Sequence, residues 1–342
     1  MTRRTKATGA SGVGHKNVVS AVATAIYDRF SSSGQLKPVP ENIRLDGKTC
    51  LVTGANSGLG RAVATQLAAR GGNMILVCRP GHEEVVEEIQ LATGNPDVRL
   101  MTADLADMAS VASLCDRLRD QNVRLDIAVL NAGLMPLQAR KSPQGYELMF
   151  AVHFLANRLL AERWWQDGVI QPATDPARTP RLVFVSSEAH QSSPPIDFDR
   201  FGAFTPYGLK DGMKFYGQTK LHLCTLASEL SRRLNSSGRV QVAVHALCPG
   251  PIASNIARES PVYIKPILKP IMKTLFRSPE QAAEPVIYLA CADEMGQRSG
   301  VYLHMMKEKL PSARALDPLN GEQLWVKSEA LIAPYIREVA TA

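Results

Sequence analysis

From Lys48 onward the chain alternates short, nearly continuous apolar runs with segments of helix length, and this alternation constrains the fold more than any other feature of the sequence. The runs are 49–53 (TCLVT), 73–78 (NMILVC), 98–102 (VRLMT), 126–130 (DIAVL), 181–186 (RLVFVS) and 240–247 (VQVAVHAL). Strands apolar on both faces need cover on both faces, which is the condition of a parallel sheet flanked by helices. Helices are expected near 58–70, 81–93, 107–121, 146–165 and 214–234. Repeated strand–helix–strand units with right-handed crossovers imply a single α/β domain, one doubly wound parallel sheet with helices on both faces. We place that domain at 46–305, after an N-terminal extension (1–45) and before a helical C-terminal tail (306–342) packed on the domain.

The first run leads into Thr53-Gly54-Ala55-Asn56-Ser57-Gly58-Leu59-Gly60, and a helix follows from Arg61. Glycines permit close backbone approach, and a helix N-terminus offers unpaired N–H groups and a positive dipole end to a pyrophosphate. Between a buried strand and an amphipathic helix, this is the dinucleotide loop of a Rossmann-type sheet, with Gly54, Asn56, Ser57, Gly58, Leu59 and Gly60 as its contacts. No Gly-Lys-Ser/Thr follows, so it is not a nucleoside-triphosphate loop, and Ser57 is out of register for a nucleophile elbow. The second run ends at Cys78-Arg79. An acid there would bind a ribose hydroxyl, whereas Arg79 reverses the sign and suits a 2′-phosphate. The cofactor expected is NADP(H).

Composition narrows the alternatives. A chain of 342 residues with 45% hydrophobic content can bury a large core, and a formal charge of +7 spread along it is no nucleic-acid signature. Basic residues concentrate at the N-terminus and near 265–277, where a phosphorylated cofactor or a membrane surface accounts for them better. The six cysteines are far apart and sit mostly in apolar runs, which reads as buried thiols in a reducing compartment. Seven histidines show no HExxH or HxH spacing, so no metal is expected. No apolar run reaches the roughly 18 residues of a conventional membrane span. The first 27 residues carry Arg3, Arg4, Lys6 and Lys16 but no acid, with an apolar stretch from Val18 to Tyr27. Organelle targeting, a surface-lying amphipathic helix and a helix packed on the domain all remain open for it. A cytoplasmic location, with peripheral membrane contact as a variant, is the expectation.

Taken together, these residues resemble the short-chain dehydrogenase/reductase family over about 46–305. TGANSGLG is similar to its TGxxxGxG loop, Asp104-Leu105 to its adenine-contacting pair, and Asn131-Ala132-Gly133 to its NAG segment. Val185-Ser186-Ser187, Tyr216-Gly217-Gln218-Thr219-Lys220 and Cys248-Pro249-Gly250 follow in the family's order. The texture of ILVCR, GYELMF, VSSEAH and SGVYLHMMKEKLPS is closest to the retinol-dehydrogenase-like branch.

The resemblance implies hydride transfer between a nicotinamide and a carbonyl or alcohol, with Tyr216 as acid/base. It implies that Ser187 holds the substrate oxygen, and that Lys220 and Tyr216 also contact the cofactor, with Pro249 and Gly250. Ser186 is the neighbouring alternative to Ser187. Lys220 lies four residues after Tyr216, on the same helix face, where its charge would stabilise a tyrosinate. One position departs from the family pattern: Phe150-Ala151-Val152 is followed by His153 where the family often has an Asn holding a relay water. Imidazole can also donate and accept, so a relay through His153, with its own pH dependence, stands beside a packed helix histidine.

The family's flap over the nicotinamide falls on Pro251–Phe276, where VYIKPILKPIMKTLF mixes apolar residues with Lys265, Lys269 and Lys273. That favours a lipophilic carbonyl or alcohol as substrate. The resemblance also implies homo-oligomers paired through helices near 146–165 and 214–234. Two other functions stay open: reduction of a carbon–carbon double bond, as in protochlorophyllide-type reductases, and a catalytically quiet NADP-binding protein.

Overall fold

The computed structural model describes residues 35–173, 175, 178–208, 210–252 and 277–337. The basic N-terminal stretch to Tyr27 and nearly all of the flap lie outside the described residues. Strands β1 (Thr49–Thr53), β2 (Asn73–Cys78), β3 (Val98–Thr102), β4 (Ile127–Leu130), β5 (Arg181–Val185), β6 (Ala243–Cys248), β7 (Tyr302–His304) and β8 (Lys307–Lys309) form one sheet in the order β3-β2-β1-β4-β5-β6-β7-β8. Every pairing is parallel except that of β7 with β8. The order reverses between β1 and β4, and in such sheets the crevice for a ligand opens at the carboxyl ends of the strands on either side of that point.

Helices cover both faces. On one lie α1 (Gly58–Ala69), α2 (Glu84–Thr93) and α6 (Pro279–Cys291), whose apolar residues share a core with Val52, Leu76 and Val129. On the other lie α3 (Met108–Asp120), α4 (Ala156–Gln166) and α5 (Gly212–Leu234), around Leu51, Ile75 and Phe184. Local chemistry sets the helix starts. The Asp107 carboxylate accepts from the Ala109 N–H at 3.0 Å to cap α3, and Ser278 caps α6 ahead of Pro279. The short α7 (Asp293–Gly296) follows α6. All six cysteines are free and buried.

Three features differ from the sequence reading. The run at 240–247 enters the sheet only at Ala243, because the Asn235 side-chain carbonyl takes the N–H groups of Gln241 (2.7 Å) and Val242 (3.2 Å). The helix expected over 146–165 opens with a π-helical turn, Phe150–Leu155, before α4. The tail begins not with a helix but with β8, and Gln35 bridges to Lys307, so the described chain before β1 starts against the sheet's outer edge. The tail then turns helical, with α8 (Ala313–Leu316) and α9 (Pro318–Ile332). Among the described residues, no helix is long and apolar enough to cross a membrane.

The tail is locked by a stack. The Arg158 guanidinium of α4 lies 3.5 Å from the centroid of Trp325 on α9, and Arg233 of α5 lies 4.3 Å from it. Two cations on one partly buried indole contribute both dispersion and cation–π attraction. We expect Trp325→Ala to lower stability by about 2 kcal/mol in urea unfolding, with the sheet intact by circular dichroism.

Candidate active site

The nucleotide end is built on Thr53, the last residue of β1. Its buried hydroxyl accepts from the backbone N–H groups of Asn131 and Ala132, both at 3.0 Å. The Asn131 side-chain amide donates back to the Thr53 carbonyl at 2.9 Å. These bonds tie the loop after β1 to the loop after β4 across the switch point, so Gly54 and the Asn131-Ala132-Gly133 segment form one floor. Gly60 in the first turn of α1 sits so close beneath it that a Cβ there would collide with the Gly54 carbonyl and the Asn131 amide. The N-terminus of α1 carries no acid in its first turn, and Ser57 makes no side-chain cap. Its N–H groups therefore remain available to a phosphate.

Around this floor lie the other residues expected to meet the cofactor. Asn56, Ser57 and Gly58 are partly exposed in the loop, whereas the Leu59 and Leu105 side chains are buried, leaving mainly their backbone to the crevice. Asp104 accepts from the Ala106 N–H at 2.9 Å through one carboxylate oxygen. Arg79 is exposed at the end of β2 and has no hydrogen bond or ion pair among the described residues. Pro249 and Gly250 follow directly on β6. This set fits a dinucleotide: a helix N-terminus for the pyrophosphate, a close-packed glycine floor, and a free cation where the second strand ends.

At the reaction end, α5 carries Tyr216 and Lys220 one turn apart. Gly217 lets α5 approach the 3₁₀ turn Glu188–His190 that follows β5, since a Cβ there would lie 2.8 Å from the Ala189 carbonyl. This contact sets Tyr216 beside Ser187. Burial pushes the Tyr216 hydroxyl up to about 12, with the nearby Cys248 adding to the rise and a hydrogen bond to Ser187 opposing it. Ser187 also caps the 3₁₀ turn, accepting from the Ala189 N–H at 3.3 Å. Ser186 faces inward instead, donating to the Lys220 carbonyl at 3.3 Å and accepting from Cys224. The two serines are thus sorted by orientation.

Lys220 departs from expectation. Its ammonium donates to the Val185 carbonyl at 2.9 Å and lies 5.6 Å from the Tyr216 ring centroid, and the tyrosine hydroxyl is raised, not lowered. Burial also depresses the Lys220 ammonium to about 8.

His153, in the π-helical turn, is fully engaged with protein. Its Nε2 accepts from the Leu134 N–H at 3.0 Å, so Nδ1 carries the proton and donates to the Thr219 hydroxyl at 2.9 Å. Thr219 in turn donates to the Tyr216 carbonyl at 2.9 Å. Burial, with the charge of Lys220 second, holds the imidazole neutral, well below its ordinary pKa. Both ring nitrogens are occupied and the ring does not charge near neutral pH. The expected pH dependence from His153 therefore has no source, and the ring's place is that of a brace between the Leu134 loop and α5. Thr53, Gly217 and Thr219 are the residues that the sequence reading passed over; each lies inside or beside a motif already in view.

A family profile described as short chain dehydrogenase matches residues 48–193. Human retinol dehydrogenase 13 is 36% identical over 313 residues, covering 87% of this chain and 89% of that one. The chain belongs to the short-chain dehydrogenase family. Within it, this short-chain dehydrogenase lies in the retinol-dehydrogenase-like branch; polyprenol dehydrogenase of Danio rerio is 29% identical, covering 92% of this chain and 94% of that one. Among solved structures, an uncharacterized protein from Mycobacterium paratuberculosis shares the fold at a TM-score of 0.66 and 24% identity, covering 87% of this chain and 98% of that one. The family consists of oxidoreductases that use nicotinamide cofactors.

Because the His153 ring is neutral and bonded on both sides, His153→Ala should lower turnover by one factor across the neutral pH range, with no change in the shape of the profile. It should also cost about 2 kcal/mol of stability, from the unpaired Leu134 N–H and Thr219 hydroxyl. A pH–rate profile and urea unfolding of the same variant check both.

Proposed function

We propose that this short-chain dehydrogenase interconverts a lipophilic carbonyl compound and its alcohol with NADP(H), using Tyr216 as the acid/base. The observation that carries the proposal is the close approach of α5, at Gly217, to the turn after β5, which sets Tyr216 beside Ser187 with Lys220 one helical turn further on. A nicotinamide, when bound, supplies or accepts the hydride. The chain's own residues do the rest. The Ser187 hydroxyl, fixed by its turn, hydrogen-bonds the substrate oxygen and steadies the charge that develops there. Tyr216 gives its proton to that oxygen in reduction and withdraws it in oxidation. Lys220 and Asn131 would hold the nicotinamide ribose side, with Asp104 at the adenine end.

Arg79 supports NADP(H) over NAD(H). It is a free, planar cation where an acid would exclude a 2′-phosphate, and a guanidinium meets phosphate in two parallel charge-assisted bonds. The lipophilic substrate is supported by relatives named for retinol and polyprenol, and by the apolar and lysine-bearing sequence between Pro251 and Phe276. That segment would also suit contact with a membrane surface from which such a substrate is drawn.

Oxidation of NADPH by purified protein, followed with a series of aldehydes and ketones graded by lipophilicity, tests the proposal. Tyr216→Phe should reduce turnover by roughly 10²–10⁴-fold, and Arg79→Ala should lower the preference for NADPH over NADH by about tenfold or more. Turnover unaffected by Tyr216→Phe overturns the acid assignment, and a native preference for NADH overturns the cofactor.

The ionisations give an asymmetry between directions. A tyrosine hydroxyl near 12 is protonated at neutral pH and ready to act as an acid, while its base form becomes available only in alkali. Oxidation, measured as kcat/KM, should therefore rise with pH through the alkaline range. Reduction needs Tyr216 protonated and Lys220 charged for its hold on the nicotinamide ribose, so it should be flat below about 8 and fall above it as Lys220 loses its proton. Lys220→Arg, which stays charged, should move that fall to higher pH.

A further inference from the structure

Beside the Ser187–Tyr216 pair, three adjacent strand ends bring together three side chains of a kind that binds metals. Cys248 ends β6 and His304 ends β7, and the two are register partners across that parallel pair. Glu188 opens the 3₁₀ turn just after β5. One ligand atom from each, a sulfur, an imidazole nitrogen and a carboxylate oxygen, all lie within 4.8 Å of one another. All three residues are buried.

His304 is the independent sign that a partner belongs there. It is only 1% exposed, and neither ring nitrogen makes a hydrogen bond. Its Nδ1 stands 3.2 Å from a Glu188 carboxylate oxygen, close enough to pair with it when the ring is charged. Buried polar groups are almost always paired, and an orphan costs roughly 1–3 kcal/mol. An ion pair with Glu188 alone would still leave Nε2 without a partner. Tyr302, two residues before His304, donates to the Glu188 carboxylate at 2.7 Å and so fixes its orientation, as the groups behind metal ligands do.

We propose that Glu188, Cys248 and His304 form a zinc site. One soft thiolate, one imidazole and one carboxylate suit zinc, whereas magnesium and calcium take oxygen sets. Three protein ligands leave the fourth tetrahedral position to a water or to the second Glu188 oxygen. On binding, the Cys248 thiol proton leaves to solvent as the zinc–sulfur bond forms, and the metal does not change oxidation state. The site would clamp the ends of β5, β6 and β7 and, because Glu188 directly follows Ser187, would brace the turn that presents the reactive serine. No histidine or cysteine spacing announces it, since the ligands come from the ends of two strands and the turn that follows a third.

The test is metal content and coordination, which do not depend on what the protein turns over. The full chain, purified, loaded with zinc and dialysed, should retain one equivalent by elemental analysis. Loaded with cobalt(II) instead, it should display a thiolate-to-cobalt charge-transfer band. Cys248→Ser should lose that band, and both Cys248→Ser and His304→Gln should weaken zinc binding by at least about tenfold, with the fold monitored by circular dichroism. If either variant fails to fold, zinc-edge X-ray absorption of the native chain decides the matter. A shell containing one sulfur at about 2.3 Å with lighter ligands at about 2.0 Å supports the site. A native chain that takes up no zinc, a shell of nitrogen and oxygen alone, or binding unchanged in folded Cys248→Ser overturns it.

Discussion

Seven of the eight strands run parallel, and a parallel strand can reach its neighbour only by a crossover that returns the chain to the same starting edge. All of their carboxyl ends therefore gather along one edge of the sheet. Thr53 ends β1, Cys78 ends β2, Thr102 ends β3, Leu130 ends β4, Val185 ends β5, Cys248 ends β6 and His304 ends β7; most residues assigned a chemical task lie at these ends or in the loops that leave them, and α5 brings Tyr216 and Lys220 to the same edge. The inner strands are largely apolar because helices seal both faces. Polar chemistry is thereby excluded from the sheet and concentrated where the backbone leaves it.

Within that edge, close backbone contacts matter as much as side chains. Gly60 beneath the Gly54 carbonyl and Gly217 against the Ala189 carbonyl each remove a methyl group's width between elements from different parts of the chain. The first lets a helix N-terminus meet the loop after β1. The second brings a tyrosine on α5 to a serine beyond β5. The ionisations follow from this tightness: the same burial that positions Tyr216 raises its hydroxyl, and the lysine one turn away turns to a backbone carbonyl.

Much of this could be read in the sequence. Apolar runs and glycine spacing gave away the parallel sheet and the nucleotide loop, and the family resemblance pointed to the Tyr216–Lys220 turn, because each depends on residues adjacent in the chain or one helical turn apart. What stayed hidden depends on approach in space. The π-helical turn that aims His153 at Leu134 has the same composition as an ordinary helix. The late entry of β6 depends on one Asn235 amide competing for backbone donors. The edge strand β8, Lys-Glu-Lys, carries no apolar signal at all, as befits an edge kept charged against further pairing. The His153 departure has a mechanical explanation in its two hydrogen bonds.

The indole stack at the C-terminus bears on how copies of this chain could meet. Trp325 is gripped from α4 and α5 at once, by Arg158 and Arg233, and Arg233 also pairs with Glu322 on α9. The tail helix thus occupies ground on the outer face of both helices. Any molecule seeking that ground, another copy included, has to compete with a ligand already tethered to it and present at the high local concentration that covalent connection confers. Self-association through this face and docking of the tail are rival occupancies of one surface.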